Sequence, residues 1–308
     1  ESCAAIANIL WQHRMNLIKG HAKYIDVMEL SLYNGAMSGI ALTGDAFSYE
    51  NHLCSQDGES RSSWIGIACC PTNLARMIPQ VGGWAYAVGE RKVMVNLYLS
   101  GEAEIEIAED LSVTLSQKTD YPWDGDVELT VTPGQDAEFS LCLRIPGWAQ
   151  GQVVPSDLYT ASSPDPQAIM LSVNGERVDA SPLPDGYAHV LRQWQAGDIV
   201  KMSIPMPVKR IHAHPKVLAN TGKVALMRGP IVYCLEGVDN PDHDIFTVAL
   251  PRDSVLHAEH HPNLLDGVTV VTGNASDASQ TPISLTAIPS YAITNREKSP
   301  MTVWINES

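Results

Sequence analysis

The chain has 308 residues, of which 44% are hydrophobic and 18% charged, and its formal net charge is −15. This length and composition are typical of a globular protein with two or three domains and a sizeable apolar core. The acidic surplus argues against nucleic acid and anionic membrane surfaces as partners, and no apolar run approaches the roughly 20 residues that span a bilayer. A neutral ligand is compatible with this charge.

The first 89 residues carry the periodicity of helices. Apolar residues recur at helical spacing over 6–17, and Gly20 follows, which predicts a helix that ends at this glycine. A second helix is predicted over 22–33, with Asn34 and Gly35 as its C-terminal cap.

A less regular stretch separates these helices from a third one. We expect a short hairpin over 40–49 and an exposed polar loop over 55–62. Pro71 is suited to the first turn of a helix, and Pro79 should kink or end that helix.

From about residue 93 the apolar period changes to two, the period of strands. Turn signals punctuate short alternating runs, and no long helix intervenes, which predicts an antiparallel sandwich. The predicted strands lie at 93–99, 103–107, 127–131, 138–145, 169–173, 187–191 and 199–204.

Met206-Pro207 is a candidate boundary, after which a second, looser β domain is predicted. We therefore divide the chain into a helical domain over 1–89 and two β domains over 90–206 and 207–308. His257, His260 and His261 are assigned to a surface loop of the last domain. Its strands are expected at 224–227, 231–235, 247–250, 268–271, 283–287 and 302–305.

The cysteine doublet Cys69-Cys70 directly precedes Pro71. Adjacent cysteines seldom bridge each other, because a disulfide across one peptide bond is strained. We expect the doublet at the N-cap of the third helix, where the helix dipole favours thiolates. Metal or nucleophile chemistry is one interpretation, and a pair of small buried apolar side chains is the other.

A second chemical signal lies at the start of the chain, in Glu1-Ser2-Cys3. The carboxylate and the thiol share a face if the backbone is extended, as it is just before a helix. With the doublet they supply one oxygen and three sulfurs, and thiolate-rich sets of four ligands select zinc. The sequence does not itself bring these two segments together.

Several longer motifs are spread over the chain. They are Glu1-Ser-Cys-Ala, Asp26-Val-Met-Glu-Leu-Ser-Leu-Tyr-Asn-Gly35, Ala68-Cys-Cys-Pro-Thr-Asn-Leu-Ala-Arg76, Leu143-Arg-Ile-Pro-Gly-Trp148 and Arg228-Gly-Pro-Ile-Val-Tyr-Cys-Leu-Glu236. Together these motifs resemble glycoside hydrolase family 127, whose founding activity is β-L-arabinofuranosidase. The resemblance covers nearly the whole chain, and the pairing of Glu-x-Cys with Cys-Cys-Pro is its most specific part.

The resemblance implies a fold and a site. The fold is a multidomain α plus β architecture: the C-terminal part of an (α/α)6 barrel followed by two antiparallel β-sandwich domains. The site is a zinc ion held by Glu1, Cys3, Cys69 and Cys70, with Cys69 as the nucleophile. Tyr49 falls where the family places an aromatic hydroxyl near the sugar; a tyrosine in the hairpin core is the alternative.

The resemblance also implies a retaining glycoside hydrolase that acts on L-arabinofuranosides or a related sugar. The family's general acid is a glutamate a short distance before the Glu-x-Cys motif, so we expect the 308-residue chain to be inactive by itself. The competing hypothesis is a non-catalytic β-sandwich module that binds carbohydrate or supports the barrel, with a structural zinc-thiolate site. In that hypothesis Trp123, Trp148 and Trp194 would stack on sugars, whereas core packing is the simpler interpretation.

Other candidate ligands and properties remain open. His52 and Cys54 could be metal ligands, and His212 and His214 could form a metal pair or a solvated strand. Reduced thiolates fit the cytoplasm, although zinc would protect them in a periplasm too, and a homodimer is compatible with the sequence. Arg144 and Arg228 are interpreted as structural hydrogen-bond donors.

Overall fold

A computed structural model describes residues 1–66, 68–162 and 168–308 of the chain. Three α-helices come first: α1 Ser2–Lys19, α2 Ala22–Ser31 and α3 Cys69–Met77. None of the helices in the described ranges is both long enough and apolar enough to cross a membrane. The remainder is mainly β-structure, so the mixed α and β character predicted from the sequence is confirmed.

Helix α1 ends as predicted, at Gly20, whose φ of 61° is left-handed and whose N–H donates to the Asn16 carbonyl. Ile6 and Ile9 face the interior, whereas Trp11 and Ile18 are 66% and 71% exposed. The helix therefore buries one narrow face and leaves a second apolar face in solvent.

The predicted end of α2 at Asn34-Gly35 is wrong. The helix continues as a π-helical turn over Leu32–Ala36 and a 3-10 turn over Met37–Gly39. The Asn34 side-chain amide donates to the Pro230 carbonyl at 2.8 Å, and its oxygen accepts from the Val232 N–H at 2.8 Å. These long-range bonds tie Asn34 to a distant strand, so it joins two parts of the fold where a cap was expected.

Helix α3 begins at Cys69, with Ala68 as its N-cap. The doublet thus occupies the first two helical positions, one residue further in than predicted. After Met77 the helix tightens into a 3-10 segment over Ile78–Trp84 that contains Pro79, as the proline predicted. The expected hairpin is reduced to a single bridge between Ile40 and Phe47.

The strands of the described residues are numbered in chain order. They are β1 Cys54–Ser55, β2 Tyr86–Gly89, β3 Lys92–Val95, β4 Gly101–Ala108, β5 Leu111–Thr119, β6 Asp126–Pro133, β7 Ala137–Arg144, β8 Tyr159–Ser162, β9 Met170–Val173, β10 Glu176–Val178, β11 Tyr187–Trp194, β12 Asp198–Ser203, β13 Val208–Ala213, β14 Lys223–Arg228, β15 Ile231–Glu236, β16 Ala249–Leu250, β17 Leu256–His261, β18 Val268–Ser276, β19 Pro282–Pro289, β20 Met301–Thr302 and β21 Ile305–Glu307.

Two of the three sheets pack together over one apolar core. The smaller has the order β11-β7-β3-β2, and the larger has the order β10-β9-β12-β6-β5-β4. Alternate residues of both sheets, such as Leu141 and Leu129, are fully buried in the shared core. The pairing is not wholly antiparallel as expected, because β3 and β7 run parallel.

The third sheet joins eleven strands, most of them after residue 207. It also takes β1 from the helical part and β8 from the middle of the chain, and β16 and β21 pair in parallel. The histidine-rich segment predicted as a surface loop is strand β17, which pairs with β18 along its whole length. The sequence did not predict this strand because most of its side chains are polar. Pairing with β18 stabilises it.

A buried ion-pair network, hereafter the Arg144 network, joins α2 to the end of β7. Arg144 is fully buried; it donates to Asp26 at 2.7 Å, to Glu29 at 2.5 Å and to the Asn96 carbonyl at 2.6 Å. Burial alone would lower the pKa of Arg144, but the carboxylates of Glu29 and Asp26 hold it well above its usual range. The interpretation of Arg144 as a structural donor is confirmed.

Candidate metal centre and active site

The N-termini of α1 and α3 meet, and this meeting brings four metal-ligand donors together. Glu1 is the N-cap of α1 and Cys3 lies in its first turn, while Cys69 and Cys70 open α3. One carboxylate oxygen and three Sγ atoms lie within 4.8 Å of one another. We call these four residues the thiol cluster. The sequence alone could not establish this convergence.

Gly35 and Gly39 allow α1 to pack closely against the turns after α2, because neither position has room for a side chain. A Cβ on Gly39 would overlap the Ser2 side chain, and one on Gly35 would lie 2.9 Å from the Ala5 Cβ. The segment after α2 can therefore pack directly on the first turn of α1, next to Cys3.

The distances within the thiol cluster fit a bound metal better than a disulfide. Cys3 Sγ lies 3.5 Å from Cys70 Sγ, and Cys69 Sγ lies 3.7 Å from Cys70 Sγ. A disulfide would need about 2.05 Å. Sulfurs bound to one tetrahedral zinc at about 2.3 Å are separated by about 3.8 Å. The donor set and its spacing therefore fit zinc.

The electrostatics of the thiol cluster also favour a bound metal ion. Cys70 is fully buried, and its burial, together with the hydrogen bonds it shares with Cys3 and Cys69, raises the pKa of its thiol to about 12. In the described residues, Asn73 is the one side chain outside the cluster that donates to these sulfurs. Among the described residues, no side-chain cation pairs with Glu1 or donates to these sulfurs, so the thiolates would need a bound cation.

The Tyr49 side chain is 37% exposed. The Glu1 carboxylate raises the pKa of Tyr49, followed by desolvation and the three cysteines. Tyr49 is therefore too exposed to be a hairpin core residue, and its hydroxyl lies within electrostatic range of the predicted ligands.

The alternative histidine and cysteine ligands do not join this cluster. His52 Nε2 lies 2.5 Å from the Glu50 carboxylate, and Cys54 is exposed in β1. His212 Nε2 is 3.0 Å from Glu307. Across 1–66, 68–162 and 168–308, the thiol cluster is the single group of three or more such donors close enough to share an ion.

Sequence reasoning missed one residue of the site, Asn73. Its Nδ2 donates to Cys3 Sγ at 3.1 Å, and its Oδ1 accepts from Arg76 Nη1 at 3.1 Å. Asn73 lies four residues after Cys69 and three after Cys70 on α3. That helical spacing places it on the face of the doublet and was the available signal.

The tryptophans suggested as sugar platforms are mainly packing residues. Trp148 and Trp194 are 3% and 0% exposed and belong to the shared core of the two sheets. Trp123 packs against that core and lies 5.9 Å from the His260 ring. Core packing, the simpler interpretation, is confirmed for Trp148 and Trp194.

Comparison with known families gives three consecutive matches. The β-L-arabinofuranosidase GH127 catalytic domain matches residues 1–83. The GH127 middle domain matches residues 92–206, and the GH127 C-terminal domain matches residues 208–306. The matches follow one another in one order and cover nearly the whole chain.

Individual relatives agree with these matches. The chain is 32% identical, over 343 aligned residues, to the non-reducing end β-L-arabinofuranosidase of Bifidobacterium longum subsp. longum, covering 99% of this chain and 48% of that protein. A GH127 β-arabinofuranosidase of known structure is 40% identical with a TM-score of 0.94, covering 100% of this chain and 49% of that one. A GH127 β-L-arabinofuranosidase structure from Geobacillus stearothermophilus T6 is 41% identical with a TM-score of 0.90. The match covers 100% of this chain and 50% of that one.

The fold and the order of the matched domains are those of a glycoside hydrolase. The chain belongs to glycoside hydrolase family 127. It spans about half the length of the relatives it matches.

Proposed function

We propose that this chain carries the nucleophile and the metal ligands of a retaining glycoside hydrolase that acts on β-L-arabinofuranosides or related sugars. The observation that carries the proposal is the thiol cluster itself: a carboxylate and three thiols within 4.8 Å at two helix N-termini, within electrostatic range of Tyr49. The names of the relatives supply the class of substrate.

Glu1, Cys3, Cys69 and Cys70 would hold the zinc ion. Bound zinc would keep the thiols ionised at neutral pH, where a free cysteine is mostly protonated. The positive end of the α3 dipole acts in the same direction on Cys69 and Cys70.

Two of the thiols differ in their access to a substrate. Cys70 is fully buried, whereas Cys69 is only partly buried at the first position of α3. A nucleophile must reach the anomeric carbon of a sugar, which a fully buried sulfur cannot do. We therefore assign Cys69 as the nucleophile and Cys70 as a permanent ligand.

The reaction then takes two displacements. The Cys69 sulfur forms a bond to the anomeric carbon while the glycosidic C–O bond breaks, and a proton donor protonates the leaving oxygen. Water next attacks the same carbon, the C–S bond breaks, and the acid residue takes a proton from the water. Two inversions give net retention.

We place the proton donor and most of the sugar pocket outside these 308 residues, in an (α/α)6 barrel of which α1–α3 are a portion. The chain spans only about half of its relatives. The second apolar face of α1 supports this placement, because large apolar side chains there are far from buried. They are Leu10 at 41%, Trp11 at 66%, Leu17 at 53% and Ile18 at 71% exposed.

The test uses metal analysis and turnover. The purified 308-residue chain should bind zinc and release no L-arabinose from a β-L-arabinofuranoside, and efficient release would refute our placement of the proton donor. In a protein that contains this chain and an upstream barrel, Cys69→Ser should abolish turnover while the circular dichroism spectrum persists. Cys54→Ser, at an exposed thiol outside the cluster, is the matched control and should leave turnover unchanged.

Two results would contradict the proposal. Turnover that survives Cys69→Ser would show that Cys69 is not the nucleophile. Loss of the folded state in both Cys69→Ser and Cys70→Ser would instead favour the competing hypothesis, a structural zinc-thiolate site that supports the barrel.

A further inference from the structure

We propose that Asn73 is a positioning residue that holds the Cys3 sulfur and lowers its reactivity, so that Cys69 is the one thiolate left free to react. This inference rests on the proposed zinc centre. It adds a reason why three similar sulfurs around one ion would take different roles.

The geometry of Asn73 is set by the helix that carries the doublet. Asn73 lies about one turn after Cys69 and Cys70 on α3, and its Nδ2 reaches across to Cys3 on α1 at 3.1 Å. Its bond therefore links the two helices whose N-termini supply the ligands.

Arg76 fixes which end of the Asn73 amide faces the sulfur. Arg76 Nη1 lies 3.1 Å from Asn73 Oδ1, and a guanidinium can only donate. The oxygen must therefore face Arg76 and the NH₂ group must face Cys3. The sulfur is the acceptor, as a thiolate ligand would be.

A donor at a ligand sulfur has two effects. It fixes the sulfur in position, and it withdraws electron density that would otherwise be available to an electrophile. Hydrogen bonds to charged groups contribute enough to change a rate or an affinity about tenfold.

The three thiols thus differ in how they are protected. Cys70 is shielded by complete burial, and Cys3 by the bond from Asn73. For Cys69 Sγ, the hydrogen-bond contact found in the described residues is with Cys70 Sγ, at 3.7 Å. Cys69 is partly exposed, and no side chain of the described residues outside the thiol cluster donates to its sulfur.

The test measures the reactivity of each thiol in the zinc-loaded 308-residue chain. Brief treatment with iodoacetamide, followed by peptide mass spectrometry, gives separate alkylation rates, with the exposed Cys54 as an internal reference. In the unmodified sequence Cys69 should react faster than Cys3. Asn73→Leu, which keeps the shape and removes the donor, should raise the Cys3 rate about tenfold and leave the Cys69 rate unchanged.

Two further variants guard the interpretation. Arg76 is exposed, so Arg76→Ala should fold even if Asn73→Leu does not. It should raise the Cys3 rate by a smaller factor, because the Asn73 amide can then rotate and present its oxygen to the sulfur. Gln80→Met removes another amide on the same segment, one that donates to the Arg76 carbonyl at 2.6 Å, and should leave both rates unchanged.

The outcomes separate this inference from the proposed function. If the chain binds zinc but neither Asn73→Leu nor Arg76→Ala changes the ratio of the Cys3 rate to the Cys69 rate, the role of Asn73 is overturned and the zinc centre stands. If the chain binds no zinc, both are overturned.

Discussion

The thiol cluster and the Arg144 network both join residues that are far apart in the sequence, and they balance charge in opposite ways. In the Arg144 network a buried guanidinium lies 2.7 Å from Asp26 and 2.5 Å from Glu29, so the protein itself supplies a cation to both carboxylates. In the thiol cluster a carboxylate and three thiols converge without a cationic partner among the described side chains. The first arrangement contains its own cation, whereas the second would need a bound one.

This difference gives a physical criterion for separating structural from functional polar groups. Both clusters contain deeply buried ionisable residues, so burial alone does not distinguish them. Internal compensation does, because it determines whether a ligand is required for the charged form. By that criterion Arg144 acts in folding, and Cys70, whose pKa burial raises to about 12, is suited to a metal.

The largest expected effect is on the Arg144 network. Arg144→Met should lower the free energy of unfolding by about 3–5 kcal/mol, because it leaves two buried carboxylates without their partner. Urea titration measures this loss. Arg177→Met, at an exposed arginine on β10, is the control and should change stability by less than about 0.5 kcal/mol. Similar small losses for both variants would mean that the network is not held by charge pairing.

The next effect is on the pH dependence of zinc binding. Because the pKa of Cys70 is raised to about 12 without a metal, zinc must displace its proton, and binding should tighten as pH rises. The expected slope is about tenfold per pH unit for each proton displaced, between about pH 6 and pH 8. Competition with a chromogenic chelator measures this slope. A flat profile would show that the thiols are already ionised in the metal-free chain.

The smallest effect is expected for an ion pair on the surface. Lys201 Nζ lies 2.9 Å from the Glu128 carboxylate, but both side chains are well exposed. Lys201→Met should change the free energy of unfolding by less than about 0.5 kcal/mol, because water screens the pair. A loss comparable to that of Arg144→Met would break the comparison, since burial would then not be what makes the Arg144 network important.

Local signals in the sequence predicted much of the fold. Helix α1 stops at Gly20 and α3 ends ahead of Pro79, because glycine and proline act on the backbone at their own positions. The strands that alternate apolar and polar residues were also found, apart from β5, whose alternation is equally clear in the sequence. For the site, the residue types were readable, and the resemblance to a family joined Glu1 and Cys3 to the doublet.

What the sequence did not reveal depends on distant partners. Asn34 resembles a helix cap, yet its amide bonds to Pro230 and Val232 across the fold. Asn73 gave no signal beyond its spacing, because the Cys3 sulfur that it contacts lies 70 residues away in the sequence. Strand β17 is polar, and its pairing with β18 is a property of the folded chain.

The central claim, that the thiol cluster is a zinc site whereas the Arg144 network contains its own cation, is tested most directly by zinc content. Elemental analysis of the purified 308-residue chain, after dialysis against zinc-free buffer, should give about one zinc per chain, and Cys70→Ser should lose it. The exposed-thiol control Cys54→Ser should retain it. A chain that carries no zinc, or a Cys70→Ser variant that keeps its zinc in full, would contradict the account.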